Sequence, residues 1–414
     1  MVAVEAAFAP SSWRPMTDVT FPPTRDAARD RLKAFLPISG KPYAEKRNFD
    51  LPGHPHVSLL SPYIRHRLLT EADVARAVLD ATTAQAAEKF LQEVFWRTYW
   101  KGWLEMRPDV WVSYRRELRR DLNRVQTESG LRQSWEDACR GETGIEAFDH
   151  WAKELVRTGY LHNHARMWFA SIWIFTLRLP WALGADFFLR HLLDGDPASN
   201  TLSWRWVAGL QTQGKHYIAR MSNISKFTEG RFRGGFLNTT ADPLVGPSHP
   251  EPRQLPRSDM IDASLHTGIL ITEDDMSPEP LVAAVKPVSG LAVKLTPARS
   301  PLAISDAVSR FVDGGIEDVA GRWQSGTWAG VVEGDAAIDG ILDWVKSSGI
   351  SQVVMHRPMV GPVEDGLTGL EQALNADGVA LVRVIRPMDQ QAWPYATAGF
   401  FKFKKQIPAL LEVL

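Results

Sequence analysis

Apolar side chains in the first half of the chain recur at the three- and four-residue spacing of helices that bury one face. This spacing predicts helices over residues 24–35, 71–80, 84–104, 145–158, 162–179 and 186–193. Twelve of the sixteen tryptophans precede residue 210, and alternating β-branched stretches are few in the same region. The first half is therefore predicted to be all-α, with aromatic side chains in its core.

The second half follows a different pattern. Prolines recur between residues 243 and 297, after which short apolar runs alternate with helical stretches. Strands are predicted over 267–272, 291–295, 327–332, 352–355 and 380–385, and helices over 303–312, 336–346 and 366–375. This alternation is typical of a parallel α/β sheet. We therefore expect an α+β multidomain protein with an N-terminal arm (1–42), a helical domain (43–236), a Pro-rich linker (237–262) and a smaller α/β domain (263–414).

Composition narrows the class of protein. A chain of 414 residues with 44% hydrophobic and 23% charged residues is typical of a globular protein with two domains. The single cysteine, Cys139, excludes a disulfide framework and a cysteine-ligated cluster, and no metal site is predicted. We find no secretion signal and no apolar run long enough to span a bilayer, so a cytoplasmic protein without a membrane partner is expected.

Charge is divided unevenly along the chain. The net charge of −1 combines +7 over residues 1–236 with −8 over the remainder. The basic part could bind a polyanion such as a nucleic acid. Ordinary scatter of charge between two domains is the alternative.

Polar residues lie at helical spacing within the aromatic region, where they are costly to bury unless they are paired. Three such sets are Glu93, Trp96 and Arg97; Asn163, Arg166 and Met167; and Asp196, Asn200 and Trp204. Three helices that turn these sets inward would form a polar-lined cavity suited to a large planar ligand. Paired polar groups in an ordinary core are the alternative that spacing alone leaves open.

Four segments resemble motifs of the DNA photolyase/cryptochrome superfamily. Leu59–Tyr63 resembles its Leu-Ser-Pro turn, Phe90–Arg97 its Glu-x-x-Trp-Arg helix, Thr158–Met167 its Trp-x-His-Asn-x-x-Arg-Met motif, and Leu193–Trp206 its Asp-Gly-Asp…Asn…Trp-x-Trp signature. They occur in the family's order with near-family spacing. The resemblance implies that residues 43–236 form an FAD-binding helical domain.

The resemblance also implies roles for individual residues. The cofactor-binding residues would be Tyr43, Ser58, Ser61, Arg97, Arg166, Asp194, Asp196 and Asn200. The lesion pocket would contain Glu93, Asn163 and Met167 as catalytic residues, with Trp96 and Trp206 as substrate-binding walls. Trp204 and Trp181 match the inner and middle members of the family's electron-transfer chain, whereas Glu128 or Ser129 stands where the outer tryptophan is expected.

By this resemblance, we expect a photolyase-like lyase that uses light-excited reduced FAD to repair cyclobutane pyrimidine dimers in UV-damaged DNA. Two alternatives stay open: a cryptochrome-like blue-light signalling flavoprotein, and a nucleic-acid-binding flavoprotein without photochemistry. The family's antenna domain normally precedes the FAD domain, but here the α/β domain follows it. The segment Gly399–Lys405 weakly resembles the chain that leaves an antenna domain, so 263–414 could be a relocated one. The antenna chromophore itself is left open.

Overall fold

The computed structural model describes residues 19–414, and its first part is helical as expected. The helices there are α1 (Arg25–Phe35), α2 (Lys41–Lys46), α3 (Ser61–Arg65), α4 (Glu71–Ala81), α5 (Glu88–Glu105), α6 (Asp109–Thr127), α7 (Ser129–Arg140), α8 (Glu146–Thr158), α9 (Asn163–Ser171), α10 (Trp181–His191), α11 (Pro197–Ala208) and α12 (Met221–Phe227). Within residues 19–414, no helix combines the length and apolar character needed to cross a bilayer. The first 18 residues of the predicted N-terminal arm lie outside the described residues.

The second part contains a five-stranded sheet, also as expected. Its elements are β1 (Thr267–Thr272), α13 (Glu279–Val285), β2 (Ser289–Lys294), α14 (Asp306–Arg322), β3 (Thr327–Glu333), α15 (Ala337–Ser347), β4 (Gln352–His356), α16 (Pro362–Gly366), α17 (Leu370–Ala376), β5 (Ala380–Val384), α18 (Pro387–Ala392), α19 (Phe400–Phe403) and α20 (Ile407–Glu412). The strand order is β3-β2-β1-β4-β5 and every neighbouring pair is parallel. The chain therefore changes direction across the sheet between β1 and β4, and all carboxyl ends meet at one edge.

Several predicted bounds differ from the structure, among them the helix predicted over 303–312, which extends to Arg322 as α14. Three of the differences have a local reason. The helix predicted over 162–179 is α-helical only as far as Ser171. A π-type turn follows at Ile172–Thr176, and the helical stretch ends before Arg178, which adopts a φ of 55°. Pro180 has no N–H to continue a helix, so α10 begins at Trp181, five residues before the predicted start. The helix predicted over 366–375 is two short helices, because Gly369 adopts a φ of 92° between them.

The helical and sheet parts share their buried side chains. Phe311 of α14 lies 5.9 Å from the ring of Tyr63 and 5.4 Å from the ring of His66, measured between ring centroids. The end of the chain also returns to the helical part, where Phe403 of α19 packs 6.4 Å from Phe95 of α5. The helical core is therefore completed by residues that follow the sheet in sequence.

Buried ion pairs join the same two parts at the carboxyl edge of β1. Three consecutive acids follow this strand, and each forms an ion pair with an arginine at a distance between 2.6 and 3.1 Å. The pairs are Glu273–Arg299, Asp274–Arg65 and Asp275–Arg386. Because buried charges are tolerated only when they are paired, these contacts fix the orientation of the sheet against α3.

One carboxyl group in the contact between the two parts should make stability depend on pH. Glu105, the last residue of α5, is buried and accepts the N–H of Val360 at 2.7 Å. Burial raises the pKa of Glu105 to about 7, although the Val360 hydrogen bond and the charge of Arg357 act in the opposite direction. A carboxyl whose pKa is higher in the folded state stabilises the fold at low pH, and this contribution is lost as the pH rises through about 7.

We expect Glu105→Gln to remove this pH-dependent component, which is on the order of 3 kcal/mol when the group is fully ionised. The measurement is the melting temperature of wild type and variant between about pH 5 and pH 8. Glu88→Gln is the control, because Glu88 lies at the surface and its substitution should leave the wild-type profile intact. Parallel profiles for wild type and Glu105→Gln would show that Glu105 ionises freely in the folded protein.

Candidate active site

Three helices and one turn bring together the residues predicted to bind the cofactor. Helix α11 packs against both α5 and α9. The turn that precedes α11 is fixed by two contacts: Leu193 N donates to the carbonyl of Gly159 at 2.9 Å, and Arg65 Nε donates to the carbonyl of Gly195 at 2.8 Å. The two aspartates of this turn are consequently held against α5 and α9.

The first aspartate forms a bidentate ion pair. Arg166 of α9 donates through Nη1 and Nη2 to the two carboxylate oxygens of Asp194, at 3.0 and 2.9 Å. Burial opposes ionisation of Asp194, but the charge and hydrogen bonds of Arg166 and the hydroxyl of Ser61 outweigh it and hold the pKa below its usual value. Asp194 is therefore a fixed buried negative charge, and Arg166 is oriented by both of its terminal nitrogens.

The second aspartate has a different partner. Asp196 caps α11 by accepting the N–H of Ser199 at 2.7 Å, and its other oxygen lies 3.8 Å from Arg97 Nη2. Burial acts to raise the pKa of Asp196, but the charges of Arg97 and Lys101 act in the opposite direction, and the net shift is downward. Of the two aspartates, Arg166 therefore pairs with Asp194, and α5 supplies the cation for Asp196.

Arg97 keeps unused donors inside the site. Its Nε and Nη2 atoms are buried and have no hydrogen-bond partner among residues 19–414. Asn200, one turn into α11, donates from Nδ2 to the carbonyl of Ala185 at 2.8 Å. This contact fixes the amide and leaves the side-chain oxygen of Asn200 available as an acceptor.

A strained turn places the two predicted phosphate-binding serines. Leu59 adopts a φ of 55°, a conformation that is uncommon for a residue with a side chain. Ser58 precedes it and accepts the N–H of Leu60 at 3.4 Å, and Ser61 is the first residue of α3. Backbone strain of this kind is concentrated at functional sites, where the surrounding structure holds it in place.

Tyr43 of α2 is linked to Glu93 through a residue that the sequence did not indicate. Arg47, one turn after Tyr43 at the end of α2, hydrogen-bonds to the Tyr43 side chain and forms an ion pair with Glu93 of α5. Burial raises the pKa of Glu93, and the charge of Arg47 partly offsets this. The partner of Glu93 is therefore Arg47, although Arg97 stands four residues later on the same helix as Glu93. The four-residue spacing of Tyr43 and Arg47 on one helix face was the only available signal.

The predicted lesion-pocket residues lie on α5, α9 and α11. The ring of Trp96 stacks on Phe400, with centroids 3.6 Å apart and planes within 13°, and Trp206 stacks on Tyr217 at 5.9 Å. Asn163 is exposed at the start of α9, and Met167, one turn later, is half-buried. Both tryptophans are therefore supported on one face by another aromatic ring.

Trp204 and Trp181 lie on neighbouring helices. Trp204 is buried, and its ring would clash with a side chain at Gly184, which stands one turn after Trp181 on α10. Trp181 donates from Nε1 to Glu117 at 2.8 Å. The position aligned with an outer tryptophan falls at Glu128 or Ser129, where α6 ends and α7 begins.

Two further cations of the site were missed from sequence, and both are buried. Arg65 contacts the carbonyl of Gly195, and Lys101 lies beside Asp196 and donates to Glu71 at 2.8 Å. Lys101 stands one turn after Arg97 on α5, so helical spacing could have indicated it. Arg65 could not be found in this way, because its partners lie far along the chain.

Comparison with known families identifies this arrangement. Residues 90–232 match the family described as the FAD binding domain of DNA photolyase. This match places residues 90–232 in the photolyase/cryptochrome superfamily. The match includes α5, α9 and α11, which carry the two aspartate–arginine contacts.

Three curated relatives share the photolyase match, and each bears the name deoxyribodipyrimidine photo-lyase. The protein of Alkalihalophilus pseudofirmus is 31% identical over 195 residues, that of Thermus thermophilus 33% over 197, and that of Escherichia coli 30% over 227. These alignments cover 47%, 47% and 52% of this chain, and 40%, 45% and 46% of the relatives. The chain therefore spans less than half the length of these relatives.

Two solved structures are also similar to part of the chain. A bacterial class III photolyase from Agrobacterium tumefaciens is 28% identical, with a TM-score of 0.42 over 49% of this chain and 42% of that one. A cryptochrome from Synechocystis is 22% identical, with a TM-score of 0.42 over 53% of this chain and 46% of that one.

The residues of this photolyase-family domain fit an FAD. Arg97 offers buried donors without hydrogen-bond partners among residues 19–414, and Asn200 offers an acceptor on an amide that Ala185 fixes. The turn with Ser58 and Ser61 supplies hydroxyl groups to the same region through the contact of Ser61 with Asp194. A flavin with a polar ring edge and a diphosphate would satisfy both kinds of group.

We expect Asp194→Ala to destabilise the protein and lower its flavin content. Removal of one partner of a buried pair costs about 3–5 kcal/mol, and the lower end applies because Arg166 keeps some access to solvent. The free energy of unfolding and the ratio of flavin to protein absorbance measure the two effects. Asp26→Ala is the matched control, since Asp26 forms an exposed pair with Arg29. If Asp194→Ala retains wild-type stability and full flavin content, the role given to this motif is wrong.

Proposed function

We propose that this protein is a light-driven flavoenzyme that splits cyclobutane pyrimidine dimers in DNA. The observation that carries the proposal is the carboxyl group of Glu93, which forms an ion pair with Arg47. Glu93 lies on α5, the helix that also supplies Trp96 and Arg97. A signalling flavoprotein has no chemical need for this group beside an aromatic wall. A flipped pyrimidine pair needs both a stacking surface and polar partners for its base edges.

The aspartate–arginine contacts would hold the cofactor. Bound FAD supplies absorption of light and one-electron transfer. Asp194 and Arg166 would orient one polar edge of the ring, and Nε and Nη2 of Arg97, which lack hydrogen-bond partners among residues 19–414, would donate to another. Asn200 would present its oxygen to the ring, because its amide nitrogen is bound to the carbonyl of Ala185.

The substrate would lie against the neighbouring side chains. Trp96 and Trp206 are each backed by another aromatic ring, so their positions are maintained while a base pair stacks on them. Burial raises the pKa of Glu93, so its carboxyl group can donate a hydrogen bond to a pyrimidine carbonyl when protonated and accept one from a base N–H when ionised. The exposed amide of Asn163 adds a donor and an acceptor.

We expect Glu93→Ala to reduce dimer repair severalfold while FAD content stays normal. The reason is that Glu93 contacts the proposed substrate, whereas the cofactor contacts of Arg97 and Arg166 do not involve it. The assay is recovery of thymine absorbance in irradiated oligothymidine under blue light, with the flavin chemically reduced beforehand. Glu146→Ala, at an exposed position of α8, is the control and should repair at the wild-type rate.

The same assay separates repair from signalling. Wild-type protein with fully reduced flavin that restores no thymine absorbance in single- or double-stranded DNA would contradict the proposal. The cryptochrome-like alternative would then be preferred. Absence of flavin from the purified protein would contradict both.

DNA affinity should fall steeply with rising salt. The +7 charge of residues 1–236 favours contact with phosphates, and neutralised phosphates release counterions. The measurement is fluorescence anisotropy of a labelled irradiated oligonucleotide over a salt series. The whole chain is used, because α18–α20 complete the helical core. Affinity that is absent at low salt, or that does not change with salt, would exclude nucleic acid as the substrate class.

A further inference from the structure

A row of three aromatic rings runs from Trp181, on the helix whose Gly184 contacts the Trp204 ring, to the cleft between the helical and sheet parts. Trp181 lies 5.6 Å from Tyr114 of α6, and Tyr114 lies 5.2 Å from Trp111 on the same helix, between ring centroids. Tyr114 and Trp111 line a cavity of about 710 Å³ bounded on its other side by residues 298–302 and 365–366. The row therefore connects the interior of the FAD-binding domain with space that solvent can enter.

The indole groups of this row differ in their hydrogen-bond partners. Trp204 Nε1 is buried without a partner among the described residues. Trp181 Nε1 donates to Glu117 at 2.8 Å, and Trp111 Nε1 donates to Asp365 at 2.8 Å. A carboxylate beside an indole stabilises the positive charge left when an electron is removed, and it can also accept the N–H proton. The outer two tryptophans are thus easier to oxidise than Trp204.

Tyr114 serves a different purpose from its tryptophan neighbours. Its hydroxyl is buried without a hydrogen-bond partner among residues 19–414, and burial raises the pKa of the phenol well above its usual value. An oxidised tyrosine is stabilised mainly by loss of its proton, and no group is placed to take it. Tyr114 therefore conducts between its neighbours without retaining the positive charge.

We propose that Trp204, Trp181, Tyr114 and Trp111 form an electron-donor path that ends at Trp111 and replaces the outer tryptophan missing at Glu128 or Ser129. The proposal rests on flavin binding, as the proposed function does. Trp204 gives one electron to the light-excited oxidised flavin. Trp181 then reduces the oxidised Trp204, and Trp111 reduces the oxidised Trp181 across Tyr114. Oxidised Trp111 passes its N–H proton to Asp365, which also accepts from Arg115. Trp111 is only 3% exposed, so a thiolate that enters the cavity returns an electron to it across a short distance, and Asp365 returns the proton to the indole nitrogen.

A competing route from Trp204 leads inward. Trp173 lies 6.2 Å from Trp204, edge to face, and is fully buried. Its Nε1 donates to the carbonyl of Pro180 at 3.0 Å, so it has no carboxylate to stabilise the charge or accept the proton. Its further ring contacts are with phenylalanines, which are harder to oxidise. Positive charge that reaches Trp173 therefore returns to Trp204.

The test is photoreduction of the oxidised flavin under blue light with added thiol, in the whole protein. Trp111→Phe keeps an aromatic ring of similar packing and should lose most of the photoreduction. Trp135→Phe is the matched control, because Trp135 lines the same cavity but has no ring contact with the row, and its rate should equal wild type. Asp365→Asn should leave the Trp111 radical protonated, which transient absorption distinguishes from the deprotonated radical.

Electron paramagnetic resonance of protein with deuterated tryptophan should assign the long-lived radical to tryptophan, and this signal should vanish in Trp111→Phe. Wild-type photoreduction and an unchanged radical in Trp111→Phe would overturn the path. Equal loss in Trp135→Phe would also overturn it, since the effect would then be a general one of the cavity. Repair with chemically reduced flavin does not need the path, so its failure would contradict the proposed function and leave these radical measurements standing.

Discussion

The arrangement of the whole molecule depends on the buried ion pairs at the end of β1. Three adjacent carboxylates cannot be buried together unless each has a cation, because their mutual repulsion adds to the cost of desolvation. The arginines that neutralise them come from distant segments of the chain: Arg65 from α3, Arg299 from the residues after β2, and Arg386 from the start of α18. These pairs hold the sheet, the helical part and the C-terminal helices in one arrangement.

These ion pairs also position the flavin site, because Arg65 contacts both. The same guanidinium that neutralises Asp274 also donates to the carbonyl of Gly195, between the two aspartates of the site. The carboxyl edge of a parallel sheet, at the point where strand order reverses, is the usual place for a ligand. Here Asp275, with Arg67 and Arg386, fills the space beside β1 and β4. The edge that would hold a ligand in other sheets serves as the support of the helical site.

Local signals predicted the elements well, but they did not predict the contacts between distant segments. The bounds of α4 and α8 lie within a residue of those predicted, because Thr70 and Asp73 form a capping box and Gly159 ends α8 with a φ of 70°. The charged helices α6 and α7 were not predicted individually. The Glu93–Arg47 pair joins residues 46 apart in sequence, so spacing within a helix suggested Arg97 instead. Likewise, nothing local distinguishes Asp194 from Asp196 as the partner of Arg166.

The wall of the proposed substrate pocket shows why such contacts matter for function. Trp96 belongs to a motif that can be recognised in sequence, but its orientation depends on Phe400, about 300 residues later. That segment is itself fixed by the hydroxyl of Tyr99, which donates to the carbonyl of Ala398 at 2.7 Å, and by the close approach of Trp393 to Gly102. Gly102 must lack a side chain, because a Cβ there would lie 2.7 Å from the Trp393 ring. Helix α5 therefore carries residues of the site and also the residues that contact the C-terminal segment. Because Phe400 of that segment stacks on Trp96, the position of the C-terminal helices governs the geometry of the pocket.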